Sequence, residues 1–128
     1  MVLLDSTALL WWVNRDPNLT PRALGAIEAE RPGGEIIVSA LSAYQIARWV
    51  HEGRLILRMA PADWFAQLQA APELTLAPID APLALQAATL PLPQPESRLL
   101  IAQARRLNCP LVTPSAALAA AGLAKIIW

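Results

Sequence analysis

The chain is short of the residues on which many active sites are built. Cys109 is its one cysteine, so no internal disulfide can form, and a reducing, cytoplasmic setting is expected. His51 is its one histidine, with no cysteine or second histidine nearby. That makes a poor zinc site and leaves no Ser-His-Asp set to argue. The five glycines form no phosphate-cradling loop, because Pro32-Gly33-Gly34 precedes an apolar run of strand type rather than a helix. Ten acids balance ten bases, so no global field draws the molecule to nucleic acid or to an anionic membrane. No uncharged apolar run reaches the ~18–20 residues of a membrane span. The opening Met1-Val2-Leu3-Leu4-Asp5 has no basic n-region, so neither a signal peptide nor a membrane partner is expected.

What is present is a core. Of 128 residues, 55% are apolar and 16% charged, which excludes disorder and suits one domain over residues 1–128. Short apolar runs alternate with longer helical patterns. Strands are expected near 2–5, 35–39, 74–78, 110–113 and 125–128. Helices are expected near 7–13, 20–30, 40–52, 61–71, 80–89, 95–107 and 115–121. The strands read as continuously apolar, the pattern of a parallel sheet covered on both faces. Strands separated by helices then give a three-layer α/β/α sandwich around a five-stranded parallel sheet, with right-handed crossovers. The punctuation agrees: Pro21 suits a first helical position after Thr20, Gly53 stops the third helix, and Asn108 closes the sixth.

Four segments bring polar residues to the ends of apolar strands or to the start of a helix. They are Leu3-Leu4-Asp5, Ile37-Val38-Ser39 with Gln45 further on, Gln94-Pro95-Glu96-Ser97, and Leu111-Val112-Thr113-Pro114-Ser115. In an open parallel sheet, ligands bind outside the carboxyl ends of the strands. Asp5, Ser39 and Thr113 should therefore share one edge. Capping explains Asp5, Ser6, Ser39 and Ser115 one at a time, and Glu96 suits a first helical turn. It does not explain Gln45, which interrupts an apolar helical stripe between Leu41 and Trp49.

Val2-Leu3-Leu4-Asp5-Ser6-Thr7-Ala8-Leu9-Leu10-Trp11-Trp12 resembles the opening of PIN-domain proteins, specifically the VapC-type toxins of toxin–antitoxin pairs. So do Val38-Ser39-Ala40-Leu41-Ser42-Ala43-Tyr44-Gln45-Ile46-Ala47 and Arg98-Leu99-Leu100-Ile101-Ala102-Gln103-Ala104. The strand Leu111-Val112-Thr113 and the ending Lys125-Ile126-Ile127-Trp128 fit in order. The resemblance implies a ribonuclease fold in which acids at the strand ends hold Mg²⁺ or Mn²⁺ to activate water on a phosphodiester. Asp5 matches the first of those acids. Gln45, Gln94, Ser97 and Ser115 stand where the others are expected. Glu96 is the nearest substitute, but adjacent helical residues point about 100° apart, so it is expected to face away from Asp5. Weak or absent metal binding and impaired catalysis follow.

The resemblance also implies a homodimer and an antitoxin-like protein partner. A cleft lined by neutral side chains would not repel phosphate, so RNA is the other candidate partner. Ser6 and Arg98 are the expected anion contacts, and Arg48, Arg54 and Arg58 are further sources of positive charge. Trp11, Trp12, Trp49 and Trp64 belong either to such interfaces or to the core. The alternative reading is a weak Mg²⁺- or Mn²⁺-dependent ribonuclease using Asp5 with Glu96, and a third is a structural or regulatory dimerisation partner.

Overall fold

The computed structural model describes Met1–Trp128 and orders five short parallel strands as β3-β2-β1-β4-β5. β1 (Val2–Leu4) leads through α1 (Ser6–Val13) and α2 (Pro21–Glu30) to β2 (Ile36–Ser39). α3 (Ala40–His51) and α4 (Pro61–Ala70) lead to β3 (Leu74–Ala77), and α5 (Ala81–Ala88) and α6 (Pro95–Leu107) to β4 (Leu111–Val112). α7 (Ala116–Ala121) and β5 (Ile126–Ile127) complete the chain. The expected α/β/α order holds, with each strand trimmed at one or both ends. At the carboxyl end of β1 the Asp5 side chain turns onto α1 as its cap, while its backbone N–H still donates to the Val112 carbonyl.

Strand geometry sends alternate side chains to opposite faces. Leu4 lies beside Val38 and Val112, and with Val2, Ile36 and Ile127 it faces Leu9, Ile27 and Ile46 of the first three helices. Leu3, Ile37 and Leu111 point the other way, onto Leu100, Ile101 and Leu118 of α6 and α7. Each fully buried Leu or Ile contributes about 1.5–3 kcal/mol through apolar burial, so a double-sided centre is the main source of stability. β3 departs from the expected pattern. It is an edge strand, and Thr75 and Leu76 are exposed.

The turns are set by local chemistry. Thr20 Oγ1 accepts from Ala23 N at 3.1 Å, with Pro21 opening α2. Asn108 takes the left-handed conformation (φ 50°, ψ 47°) that ends α6, which returns the chain sharply into β4. Gly34 must be glycine: its φ is 68°, and a Cβ there would meet the Pro72 carbonyl oxygen at 2.9 Å. The tryptophans of the first, third and fourth helices are half-buried and pack against the core.

Candidate functional site at the strand ends

β1, β2 and β3 are laid down in one direction, and the chain then crosses back to add β4 and β5 on the other side of β1. The order reverses at β1, and the cleft beyond its carboxyl end is where such sheets bind ligands. Asp5 and Thr113 arrive there from neighbouring strands. Thr113 Oγ1 donates to Asp5 Oδ2 at 2.6 Å, and Ala8 N donates to Asp5 Oδ1 at 2.7 Å. Both carboxylate oxygens are thus occupied, one as the N-cap of α1. Burial pushes the Asp5 carboxyl above its ordinary range, opposed by the Thr113 hydroxyl and the backbone N–H groups of Ala8 and Thr7. The same Thr113 hydroxyl accepts from Ser115 N at 3.1 Å, and Ser115 Oγ caps α7 by accepting from Leu118 N.

The next residue, Ser6, starts a second polar chain. Its Oγ lies 2.9 Å from Ser42 Oγ and 2.5 Å from Gln45 Oε1. A hydroxyl has one proton and an amide oxygen only accepts, so Ser6 donates to Gln45 and accepts from Ser42. Gln45 therefore faces this edge, and α1 and α3 are tied together there by neutral groups. Ser6 and Ser42 are almost wholly buried, which keeps Ser6 from serving as an open anion contact.

The α6 residues do not join these networks. Gln94 is exposed and caps nothing with its side chain. Ser97 is half-buried, and no hydrogen bond of its side chain reaches Asp5 or Gln45. Glu96 Oε1 instead meets Arg48 Nη1 at 3.4 Å, across the gap between α6 and α3. Arg48 also stands 3.8 Å from Glu52 and 5.6 Å from the centre of the Tyr44 ring, so its charge is already matched. Arg54 pairs with Glu52. Arg98 Nε donates to the Leu92 carbonyl, folding the arginine back over its own helix start. The expectation that Arg48 and Arg54 offer free positive charge is corrected on this geometry, whereas Arg98 enters no ion pair.

Sequence reasoning missed three parts of this edge. Ser42 lies one turn before Gln45 on α3, a spacing that places both on one face. Thr113 was legible as a strand end but not as the donor that holds Asp5. Gln103, in an apolar stretch of α6, is buried and its Nε2 donates to the carbonyls of Ala77 and Pro78, both at 3.2 Å.

The side chains present do not fit a hard divalent cation. Such an ion takes several oxygen ligands and favours carboxylates, but Asp5 is the edge's one acid within these networks. Its neighbours are hydroxyls and an amide. Nowhere in the chain do three His, Cys, Asp or Glu side chains gather into a metal-holding group.

A parallel sheet of this order, covered by helices and carrying polar side chains where the order reverses, defines an α/β domain with Asp5 at its switch point. The PIN domain profile matches residues 2–120, and the chain belongs to the PIN domain family. Among curated proteins no sequence matches at a significant level. Solved structures share the fold at low identity. The FitAcB structure from Neisseria gonorrhoeae is 16% identical, with a TM-score of 0.68 over 98% of this chain and 96% of that one. VapBC2 from Rickettsia felis, bound to a DNA fragment from its promoter, is 12% identical with a TM-score of 0.69, covering 98% and 97%. FitAB bound to an IR36 DNA fragment is 16% identical with a TM-score of 0.64, covering 98% and 93%.

Proposed function

We propose that this chain is a VapC-like PIN domain that has lost metal-dependent ribonuclease chemistry and acts by binding a polypeptide partner. The observation that carries the first half is the neutral Ser42–Ser6–Gln45 chain beside a single acid, Asp5, each of whose oxygens already accepts a hydrogen bond. Hydroxyl and amide oxygens bring no charge to offset a cation's lost hydration. Glu96, the one substitute acid, is held by Arg48, which counts against the weak-ribonuclease alternative.

The second half is supported by a groove of about 660 Å³ between α1, α2, α4 and the start of β3. Trp12, Val13, Leu19, Leu24, Leu68 and Leu74 give it an apolar floor, and Arg15 and Asp16 sit on its rim. Two of the similar structures are a VapBC and a FitAB assembly seen on DNA. The occupant proposed here is accordingly an amphipathic segment of an antitoxin-like protein, its apolar stripe laid along Trp12 and Leu24. A homodimer is proposed on the same likeness, and light scattering on the purified chain reads it directly. RNA is the other partner that a neutral strand-end cleft admits, because no cluster of acids repels its phosphates.

Calorimetric titration of metal-stripped protein with Mn²⁺, beside Asp5→Ala, tests the reading. The expected result is no Asp5-dependent heat at millimolar Mn²⁺. The combined Gln45→Glu, Ser97→Asp and Ser115→Asp variant should acquire Mn²⁺-dependent cleavage of RNA. Micromolar binding that Asp5→Ala abolishes would return the ribonuclease reading to first place.

A further inference from the structure

The balanced net charge hides an uneven distribution. From residue 97 to the end there is no Asp or Glu, while Arg98, Arg105, Arg106 and Lys125 all fall there. Arg98 is folded back onto Leu92 at the strand-end side. The other three lie at the opposite edge, where α6 finishes and β4 and β5 begin. Arg105 and Lys125 line an open cavity of about 390 Å³ with Asn108, Cys109 and Pro110, and no acid is among its lining residues. Arg105 also lines a second depression of about 330 Å³ along α6, with Arg106, Gln86 and Thr89, again without an acid.

Two of these cations are free of ion pairs and share acid-free surroundings, Arg105 and Lys125. Arg31, Arg48 and Arg54 are each matched by a glutamate, and Arg106 is matched by Asp80. Arg105 and Lys125 enter none of the ion pairs in the molecule, and both are exposed. Glu30 and Glu35, the acids nearest the start of β1, are occupied by the Met1 amino group at 2.7 and 3.2 Å. A basic last turn complements a helix dipole, which accounts for Arg105 and Arg106 alone. It does not account for Lys125, which precedes β5 and belongs to no helix. Two of the last α6 carbonyls are capped, since Ala104 O accepts from Cys109 N and Arg105 O from Asn108 N.

We propose that the two depressions that share Arg105, with Lys125 lining the first, form a track for the phosphodiester backbone of a nucleic acid. Two shallow cavities sharing one arginine suit an extended polyanion with successive charges better than a single small anion. No aromatic residue lines either cavity, so bases are not stacked and contact is to phosphate, without sequence reading. The track lies on the edge opposite Asp5, and it stands or falls independently of the binding reading given above.

The test is fluorescence anisotropy with a labelled mixed-sequence RNA strand and, separately, a DNA duplex of equal length, each titrated across salt concentration. Counterion release makes log K fall linearly with log salt, by about 0.7 per neutralised phosphate for a single strand and about 0.9 for a duplex. Arg105→Gln with Lys125→Gln should weaken binding and lower the slope by about 1.4 on the single strand and about 1.8 on the duplex, two lost phosphate contacts in each case. Arg22→Gln with Arg54→Gln removes the same charge from other exposed positions and should leave the slope in place. Either nucleic acid showing this pattern supports the track, and the tighter one identifies the strand type. No binding at low salt, an equal slope loss in both double variants, or a loss that follows Arg98→Gln instead would each overturn it.

Discussion

Asp5 is held in a state that works against its own charge. Both oxygens accept hydrogen bonds, yet burial still raises its carboxyl above the ordinary range. For an acid raised in the folded state, the native protein binds more protons than the unfolded chain between the two pKa values. Its contribution to stability therefore falls as pH rises from the ordinary carboxylate range through the raised value, then levels off. Asp80 acts with the opposite sign, because the Leu83 N–H and Arg106 hold its carboxyl below the ordinary range. Asp5→Asn keeps an N-cap for α1 and removes the charge. The variant should be at least as stable as the parent at neutral pH and should lack the parent's decline above the carboxylate range, as read by thermal melts at stepped pH. Gln103 argues differently. Its amide satisfies two carbonyls while its own Oε1, also buried, has no partner. Gln103→Met orphans Ala77 O and Pro78 O, and a loss of about 1–3 kcal/mol is expected in urea denaturation. An unchanged midpoint would mean that removing the unpaired Oε1 offsets both lost bonds.

Elements explain why the fold was more legible than the site. The runs Val2-Leu3-Leu4, Ile36-Ile37-Val38 and Leu111-Val112 are apolar at every position because both sheet faces are covered there, and that pattern survives in the sequence. Helix ends were legible where one residue type has one physical use, as with Thr20-Pro21 and Asn108. β3 was less so, since Leu74-Thr75-Leu76-Ala77 is an edge strand whose neighbours lie on one side only. The convergence of Asp5 and Thr113 followed from their places at strand ends. The side-chain chemistry did not: whether Glu96 turns to Asp5 or to Arg48 depends on how α6 lies against α3, a tertiary fact that no local spacing records. Asn108 offers a test at this scale. Its left-handed backbone costs a residue with a Cβ about 1–2 kcal/mol, which asparagine reduces and glycine avoids. Asn108→Ala should destabilise the protein by about 1 kcal/mol, and Asn108→Gly should leave it unchanged or better in the same denaturation series.

For the whole molecule, the question is what a catalytic set of acids would do to the rest of the fold. Carboxylates crowded at a low-dielectric strand edge repel one another unless a cation neutralises them. In this chain the edge is made of Ser6, Ser42, Gln45 and Thr113, neutral groups hydrogen-bonded to one another or to Asp5, so no such repulsion builds up there. A ligand that binds only the folded state raises stability in proportion to its occupancy. The parent protein should therefore melt at the same temperature with and without millimolar Mn²⁺. Adding Gln45→Glu, Ser97→Asp and Ser115→Asp together keeps an acceptor for Ser6 but places new charges near Asp5, so the metal-free variant should melt lower. Millimolar Mn²⁺ should then restore much of the loss, and Asp5→Ala in that background should abolish the restoration. A parent protein that Mn²⁺ stabilises through Asp5 would show that hydroxyl and amide oxygens complete a working site after all. A triple variant that melts lower and ignores Mn²⁺ would show that α6 holds Ser97 out of reach of Asp5, and that the geometry as well as the ligands has been lost.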